Sequence, residues 1–274
     1  MLHNPIDVET KSYSAENKMT EFHYHNCYEI YYLYSGKIRY LIDYNLYDVD
    51  EGDIVLINKQ VLHMTKLVDD RPGENIKVFI NDDIINSLGE NSKEFFSCLK
   101  NNLVLKIPLK DKKFITSLFL KIHSEFKKNN LFSYQLTQNH IYELLTYIYL
   151  LMYSSSNIAT TVDENETVNK AIRYIQNNFN QNITLYDVAS ECHMNPSYFS
   201  RFFKKQLGIN LMSFINTARI KEASLLLTNS DRTVTEIAYD CGYNDVKYFI
   251  TTFKKVNGCS PSTFRKKNTN FNTN

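Results

Sequence analysis

The C-terminal half of the chain carries one pattern written twice, and a duplication constrains a fold more tightly than composition can. Leu185-x-Asp187-Val188-Ala189-x-x-Cys192 matches Val234-x-Glu236-Ile237-Ala238-x-x-Cys241 at an offset of 49. Tyr198-Phe199-x-x-x-Phe203-Lys204-Lys205-x-x-Gly208-x-x-x-x-x-Phe214 matches Tyr248-Phe249-x-x-x-Phe253-Lys254-Lys255-x-x-Gly258-x-x-x-x-x-Phe264 at an offset of 50. Like sequences bury like faces, so this half must hold two similar units.

Each copy predicts a helix, a tight turn and a second helix. In the first copy Thr184 is an N-cap for a short helix carrying Leu185, Val188 and Ala189, and the small Ala189 admits a second helix at close range. His193-Met194 forms the turn. Asn195 followed by Pro196 is a strong helix start, because the Asn side chain caps and Pro lacks the amide proton that a first turn leaves unused. Phe199 and Phe203, four apart, face inward, leaving Ser197, Ser200, Arg201 and Lys204 on other faces. In the second copy Asn244 or Asp245 caps, Phe249 and Phe253 face inward, and Lys247, Thr251 and Lys254 face outward. Between the copies Phe214–Leu227 reads as one longer helix, with Ala218, Ile220, Ala223 and Leu226 or Leu227 on its inner side, that would set the distance between the units.

The formal net charge of +1 hides an asymmetry. Residues 1–166 hold 17 Lys+Arg against 23 Asp+Glu, whereas residues 167–274 hold 14 against 7. An acidic half joined to a basic half implies that only the second meets a polyanion. A helix fits the major groove with its outer face toward base edges, and Lys204, Lys205, Lys254 and Lys255 beyond that face can neutralise phosphates. The alternative is a small helical domain with solvated Lys pairs. Duplication favours the DNA reading, since two such helices on one chain can enter successive major grooves about 34 Å apart.

With these motifs in view, residues 167–268 resemble the DNA-binding domain of AraC/XylS-type regulators. The resemblance rests on Ala218-Arg219-Ile220-x-x-Ala223-x-x-Leu226-Leu227, on Ile237-Ala238-x-x-Cys241-Gly242-Tyr243, and on Tyr248-Phe249-x-x-x-Phe253-Lys254-Lys255-x-x-Gly258-x-Ser260-Pro261-x-x-Phe264-Arg265. It implies that Ser197, Ser200 and Arg201 of the first recognition helix, and Lys247 and Thr251 of the second, face bases. Thr251 stands where many relatives have Arg, which implies different base contacts for the second reader. The family mostly activates transcription, so RNA polymerase is an implied partner.

The N-terminal half reads differently. From about residue 20 to 80, short runs rich in Tyr, Ile, Val and Leu alternate with turn signals: Tyr28–Tyr34 before Ser35-Gly36, Ile38–Tyr44 before Asn45, and Ile54–Ile57 after Glu51-Gly52-Asp53. This is the spacing of antiparallel strands in a sandwich or barrel. Helical stretches follow over roughly 111–129 and 134–153, and in the second Leu136, His140, Glu143 or Leu144, Tyr147 and Leu151 form a stripe. That stripe can pack on its own barrel or on the same helix of a second chain, giving a homodimer. Ser154-Ser155-Ser156 through Glu166 is polar and unpatterned and reads as a linker.

His23-x-His25-x-x-x-Glu29, then Gly36, and His63 eleven residues after Gly52, resemble the first cupin motif, while Asn58-Lys59 stand where Pro and Gly are usual in the second. His23 and His25, two apart, share a face of an extended strand, and Glu29 joins them if the chain turns near Asn26-Cys27. Three imidazoles and a carboxylate suit a divalent first-row metal. In cupin enzymes such a set holds a metal for catalysis; in AraC-type regulators the barrel senses a small molecule, often a sugar, without requiring one. His23, His25, Glu29, Tyr31 and His63 are therefore effector-site candidates, and His23, His25, Glu29 and His63 are the alternative metal set. Tyr28, Tyr31, Tyr32, Tyr34 and Tyr40 offer ring faces and hydroxyls of the kind that contact sugars.

Five cysteines without C-x-x-C spacing fit a reducing compartment. No apolar run has signal-peptide or membrane-spanning length, so the expectation is a cytoplasmic chain with no membrane partner. The expected architecture is two-domain and α+β overall. Residues 1–155 form a cupin- or jelly-roll-like β-barrel with flanking helices that binds effector and dimerises, residues 156–166 are the linker, and residues 167–268 are an all-α double helix-turn-helix. The expected function is sequence-specific binding of double-stranded DNA to regulate transcription in response to a small effector, by a protein that is not an enzyme and needs no cofactor. The rivals are a metal-dependent cupin enzyme or metal sensor with a DNA-binding tail, and a ligand-independent regulator whose barrel only dimerises.

Overall fold

A computed structural model describes residues 5–14, 22–43, 45–68, 71–100, 103–128, 130–153 and 166–269. The chain divides into two compact units, Met1–Met19 with Tyr24–Val162, and Thr20–His23 with Asp163–Asn274. The polar stretch expected to be a linker lies outside the described residues up to Glu166.

The first unit is built on two antiparallel sheets. Sheet one has the order β1 (Ile6–Tyr13), β7 (Gly73–Ile80), β2 (Tyr28–Ser35), β5 (Ile54–Ile57) and β8 (Leu103–Leu105). Sheet two has the order β4 (Asn45–Asp50), β3 (Lys37–Ile42) and β6 (His63–Leu67). The β arrangement matches the expected fold class, but it is an open pair of sheets, not a closed barrel. The expected strands at 28–34, 38–44 and 54–57 are present, whereas β1 and β8 were not foreseen, nor were the short helices α1 (Asp82–Asn86) and α2 (Ser92–Leu99).

Strand β2 sits in the middle of sheet one and is buried on both faces, which is why it reads as an almost unbroken apolar run. Its alternation nevertheless sorts the side chains. Ile30 and Tyr32 join Ile54, Leu56, Ile76 and Val78 in a core shared with α3 (Leu109–Lys128) and α4 (Leu131–Tyr153). There Tyr32 stacks on Phe119 with ring centroids 4.5 Å apart. Tyr31 and Leu33 face the other way, into a core with Tyr13, Ile38, Tyr40, Val55 and Ile57.

The stripe expected on α4 is corrected by the structure. The buried residues are Ser133, Thr137, Ile141, Leu144, Leu145, Ile148 and Leu151, while Leu136 is exposed. This helix is apolar around much of its circumference, so sequence periodicity fixes its face poorly.

The second unit comprises α5 (Glu166–Asn178), α6 (Leu185–Glu191), α7 (Pro196–Leu207), α8 (Leu211–Asn229), α9 (Val234–Asp240), α10 (Val246–Asn257) and α11 (Pro261–Thr269). The aromatic core repeats with the sequence. Phe199 and Phe203 lie 5.6 Å apart and Phe203 meets Phe214 edge-on at 5.6 Å; Phe249 and Phe253 lie 5.7 Å apart and Phe253 meets Phe264 edge-on at 5.4 Å. No described helix is long and apolar enough to cross a membrane.

Candidate DNA-reading helices and a buried charge cluster

Helices α7 and α10 are started by the same device. The Asn195 side chain accepts from the amides of Ser197 and Tyr198 at 3.0 and 3.4 Å, and Asp245, rather than Asn244, accepts from those of Lys247 and Tyr248 at 2.7 and 3.2 Å. The preceding helices each begin with a capping box, Thr184 with Asp187 and Thr233 with Glu236. Both second helices end on a left-handed glycine, Gly208 and Gly258. Each helix start thus satisfies its free amides locally, and the helix is held in a defined orientation by its buried Phe pair.

The opposite face is open. Ser197, Arg201, Lys204, Lys205, Lys247, Thr251, Lys254 and Lys255 are exposed, and Ser200 is half-buried. Thr251 turns its hydroxyl back onto the Lys247 carbonyl at 3.0 Å. Sequence reasoning passed over Tyr198 and Tyr248, which stand at equivalent positions in the first turns and are 56% and 53% exposed. The signal was in the repeat itself: of each Tyr-Phe pair, the Phe enters the core and the Tyr cannot.

In the first unit the structure gathers His25, Glu29, Tyr31 and His63 in one buried region. Glu29, fully buried on β2, receives the His25 Nε2 proton at 2.8 Å on Oε2 and the Tyr40 hydroxyl at 3.2 Å on Oε1. Lys77 Nζ lies 3.4 Å from Oε1 and His63 Nε2 lies 3.4 Å from Oε2. Both imidazoles direct Nδ1 at a backbone carbonyl, His25 at Cys27 (2.9 Å) and His63 at Val61 (2.8 Å).

These contacts decide the charges. Burial alone would raise the Glu29 carboxyl, but Lys77 and the two histidines hold it well below the usual carboxylate range. Burial would lower His25, yet the Cys27 side chain, its sulfur 3.5 Å from Nδ1, and the Glu29 carboxylate push it up to about 10. His63 is lowered, because its burial outweighs the pull of Glu29. Lys77 is raised despite burial, by Glu29 first.

His23 belongs to the segment Thr20–His23, which groups with the other unit. Of the five tyrosines, only Tyr31 and Tyr40 belong to the inter-sheet core; Tyr28 and Tyr32 face the helices and Tyr34 is exposed. Lys77 and Tyr40 complete the cluster. Lys77 was legible as a lone cation in the apolar run Ile76-Lys77-Val78, where a buried strand would otherwise continue. Around it the hydroxyls of Tyr13, Tyr31 and Thr65 and the Oδ1 of Asn75 are buried without a hydrogen-bond partner among the described residues.

Imidazoles anchored through Nδ1 and a shared carboxylate are donors that a divalent ion could use. Within the described residues Glu29 is already compensated by Lys77, His25 and His63.

Two family patterns match the chain, one described as ExsA N-terminal regulatory domain over residues 29–160 and one as helix-turn-helix domain over residues 188–267. An uncharacterised HTH-type transcriptional regulator of Staphylococcus aureus is 25% identical over 95% of this chain and 33% of its own length. The bifunctional transcriptional activator/DNA repair enzyme AdaA of Bacillus subtilis is 36% identical over 38% of this chain and 49% of its own. Among solved structures, the C-terminal domain of the response regulator AraT from Geobacillus stearothermophilus is 37% identical, covering 37% of this chain and 85% of that one, with a TM-score of 0.36. The chain spans a third to a half of the length of these curated relatives.

Proposed function

The chain belongs to the AraC/XylS-type family of transcription regulators, and from that premise we propose that it reads double-stranded DNA with α7 and α10 and adjusts that reading to a small polar molecule held between its two N-terminal sheets. The observation that carries the DNA half is the repetition of a capped, phenylalanine-anchored helix whose polar face is left open. In this reading Arg201 donates its paired N–H groups to a base edge, Ser197, Ser200, Lys247 and Thr251 make the remaining base contacts, and Lys204, Lys205, Lys254 and Lys255 neutralise phosphates. Tyr198 and Tyr248, beside the helix starts, add hydroxyl donors at the groove edge. The Thr251 methyl, left outward by its back-bonded hydroxyl, suits a thymine methyl.

Effector binding is supported by the unpartnered hydroxyls of Tyr13, Tyr31 and Thr65 next to the ionised Glu29 and Lys77. Such a lining suits a ligand rich in oxygen acceptors and donors, a sugar or related metabolite. The effector shifts a conformational equilibrium, the protein acts as a homodimer, and it activates transcription by recruiting RNA polymerase.

DNA selected from a random pool by the full-length protein tests the first half. Arg201→Ala is expected to cost about 1–3 kcal/mol and to relax preference at one position, whereas Lys204→Ala weakens all sequences alike and lowers the salt slope by about 1. Unchanged affinity in both variants would remove α7 from the groove. For the second half, a sugar panel is read by thermal melting and by DNA affinity together. A panel in which nothing moves either quantity would leave the N-terminal unit without a sensing role.

A further inference from the structure

The second copy packs on the connecting helix α8 through α9, α10 and α11. A separate contact ties it to the backbone that leads into the first copy. Arg219, on α8 and almost fully buried, donates through Nε to the Phe179 carbonyl at 2.7 Å and through Nη2 to the Gln181 carbonyl at 2.8 Å, both just ahead of the first helix-turn-helix. The same guanidinium lies over the ring of Tyr243, in the turn of the second helix-turn-helix, 5.4 Å from its centroid. One side chain therefore joins the lead-in to the first copy to the turn of the second.

The glycine beside Tyr243 completes the contact. Gly242 has φ of +82°, and its counterpart in the first copy is His193 at +54°, so the turn itself accepts a side chain in the left-handed region. What excludes one at 242 is space. A Cβ there would stand 2.7 Å from the Asn180 oxygen and 2.9 Å from the Phe179 oxygen, the same stretch of backbone that Arg219 grips. The second turn is packed directly on the backbone that leads from α5 into the first copy.

We infer that this joint sets the spacing and phase of the two DNA-reading helices: Arg219, Gly242 and Tyr243 are positioning residues that make the chain accept only targets whose two sub-sites lie at one fixed separation. The Arg265 contacts differ in kind, since its bonds to the carbonyls of Leu227 and Arg232 hold the second copy to the end of α8 and not to the first copy. The inference rests on α7 and α10 both reading DNA.

The test is selection from random-sequence duplexes by the full-length wild type, by Gly242→Ala and by Tyr243→Leu, with folding of each followed by circular dichroism. The wild type is expected to enrich two sequence blocks at a single separation, preferred about tenfold or more over separations two base pairs longer or shorter. The variants should keep both blocks while that preference falls to within about twofold. A merely structural role would lower the melting temperature without spreading the spacing. Variants that retain the single spacing overturn the inference, as does outright unfolding of both, which would make the joint ordinary core. A wild type that enriches no second block fails at an earlier step, and sinks the two-reader function itself.

Discussion

The two helix-turn-helix copies share almost every local device and differ at the place where they meet. Both have a capping box, an Asx-capped second helix, a pair of buried phenylalanines and a glycine stop. Both make the same turn, with His193 and Gly242 donating to Ser190 and Tyr239, and Met194 and Tyr243 donating to Ala189 and Ala238. Yet the first copy carries an exposed His at the left-handed position, while the second carries Gly against backbone. The Tyr248 hydroxyl accepts from Asn216 of α8 at 3.0 Å, whereas the Tyr198 ring lies along Phe202 of its own helix. Repetition therefore specifies the reader, and departure from repetition marks the joint.

The largest effect should appear where the copies agree. Phe203→Ala and Phe253→Ala each remove the centre of an aromatic trio, and each is expected to cost about 3–5 kcal/mol in denaturant unfolding. A loss in one copy far smaller than in the other would show that the repeated geometry does not carry repeated energetics. The next effect should separate them. Gly242→Ala adds a Cβ in contact with two carbonyls in a strained region and is expected to cost about 2–4 kcal/mol. His193→Ala, at an exposed position, should stay within about 0.5 kcal/mol. A cost at 242 no greater than that at 193 would mean that the joint leaves room for a side chain there.

The same contrast explains what could be read from the sequence. Caps, turns and inward phenylalanines are set by residues within four or five positions of one another, so Thr184, Asn195 and Phe199 announced themselves. Arg219 stood within the family signature, but nothing local says that its guanidinium reaches carbonyls some forty residues earlier. In the N-terminal unit the strands around Tyr31 and Val55 were legible as apolar runs bounded by turn signals. Strand β1 was missed because its alternation is weak, with an exposed run from Glu9 to Ser12, and it is defined by pairing with β7 across sixty or more residues. His25 and Glu29 were found by spacing, whereas Lys77 joins them only because β7 lies beside β2 in the sheet. Contacts closed by topology leave little trace in sequence unless a residue is out of character with its neighbours, as Lys77 is.

The smallest expected effect is also the one that best separates stability from recognition. The two second helices differ in the charge of their caps, a neutral Asn195 on α7 and an acidic Asp245 on α10. A carboxylate at a helix N-terminus meets the positive end of the dipole, so Asn195→Asp should stabilise the fold by about 0.3–1 kcal/mol at low salt, and Asp245→Asn should remove a similar amount. Helix starts that approach a phosphate backbone feel the opposite preference, because the added anion repels DNA. Asn195→Asp should therefore melt higher while binding DNA more weakly, and Asp245→Asn should melt lower while binding more tightly. Two melts and two titrations check this at one salt concentration. If stability and affinity move in the same direction in either variant, the start of that helix does not face the phosphates.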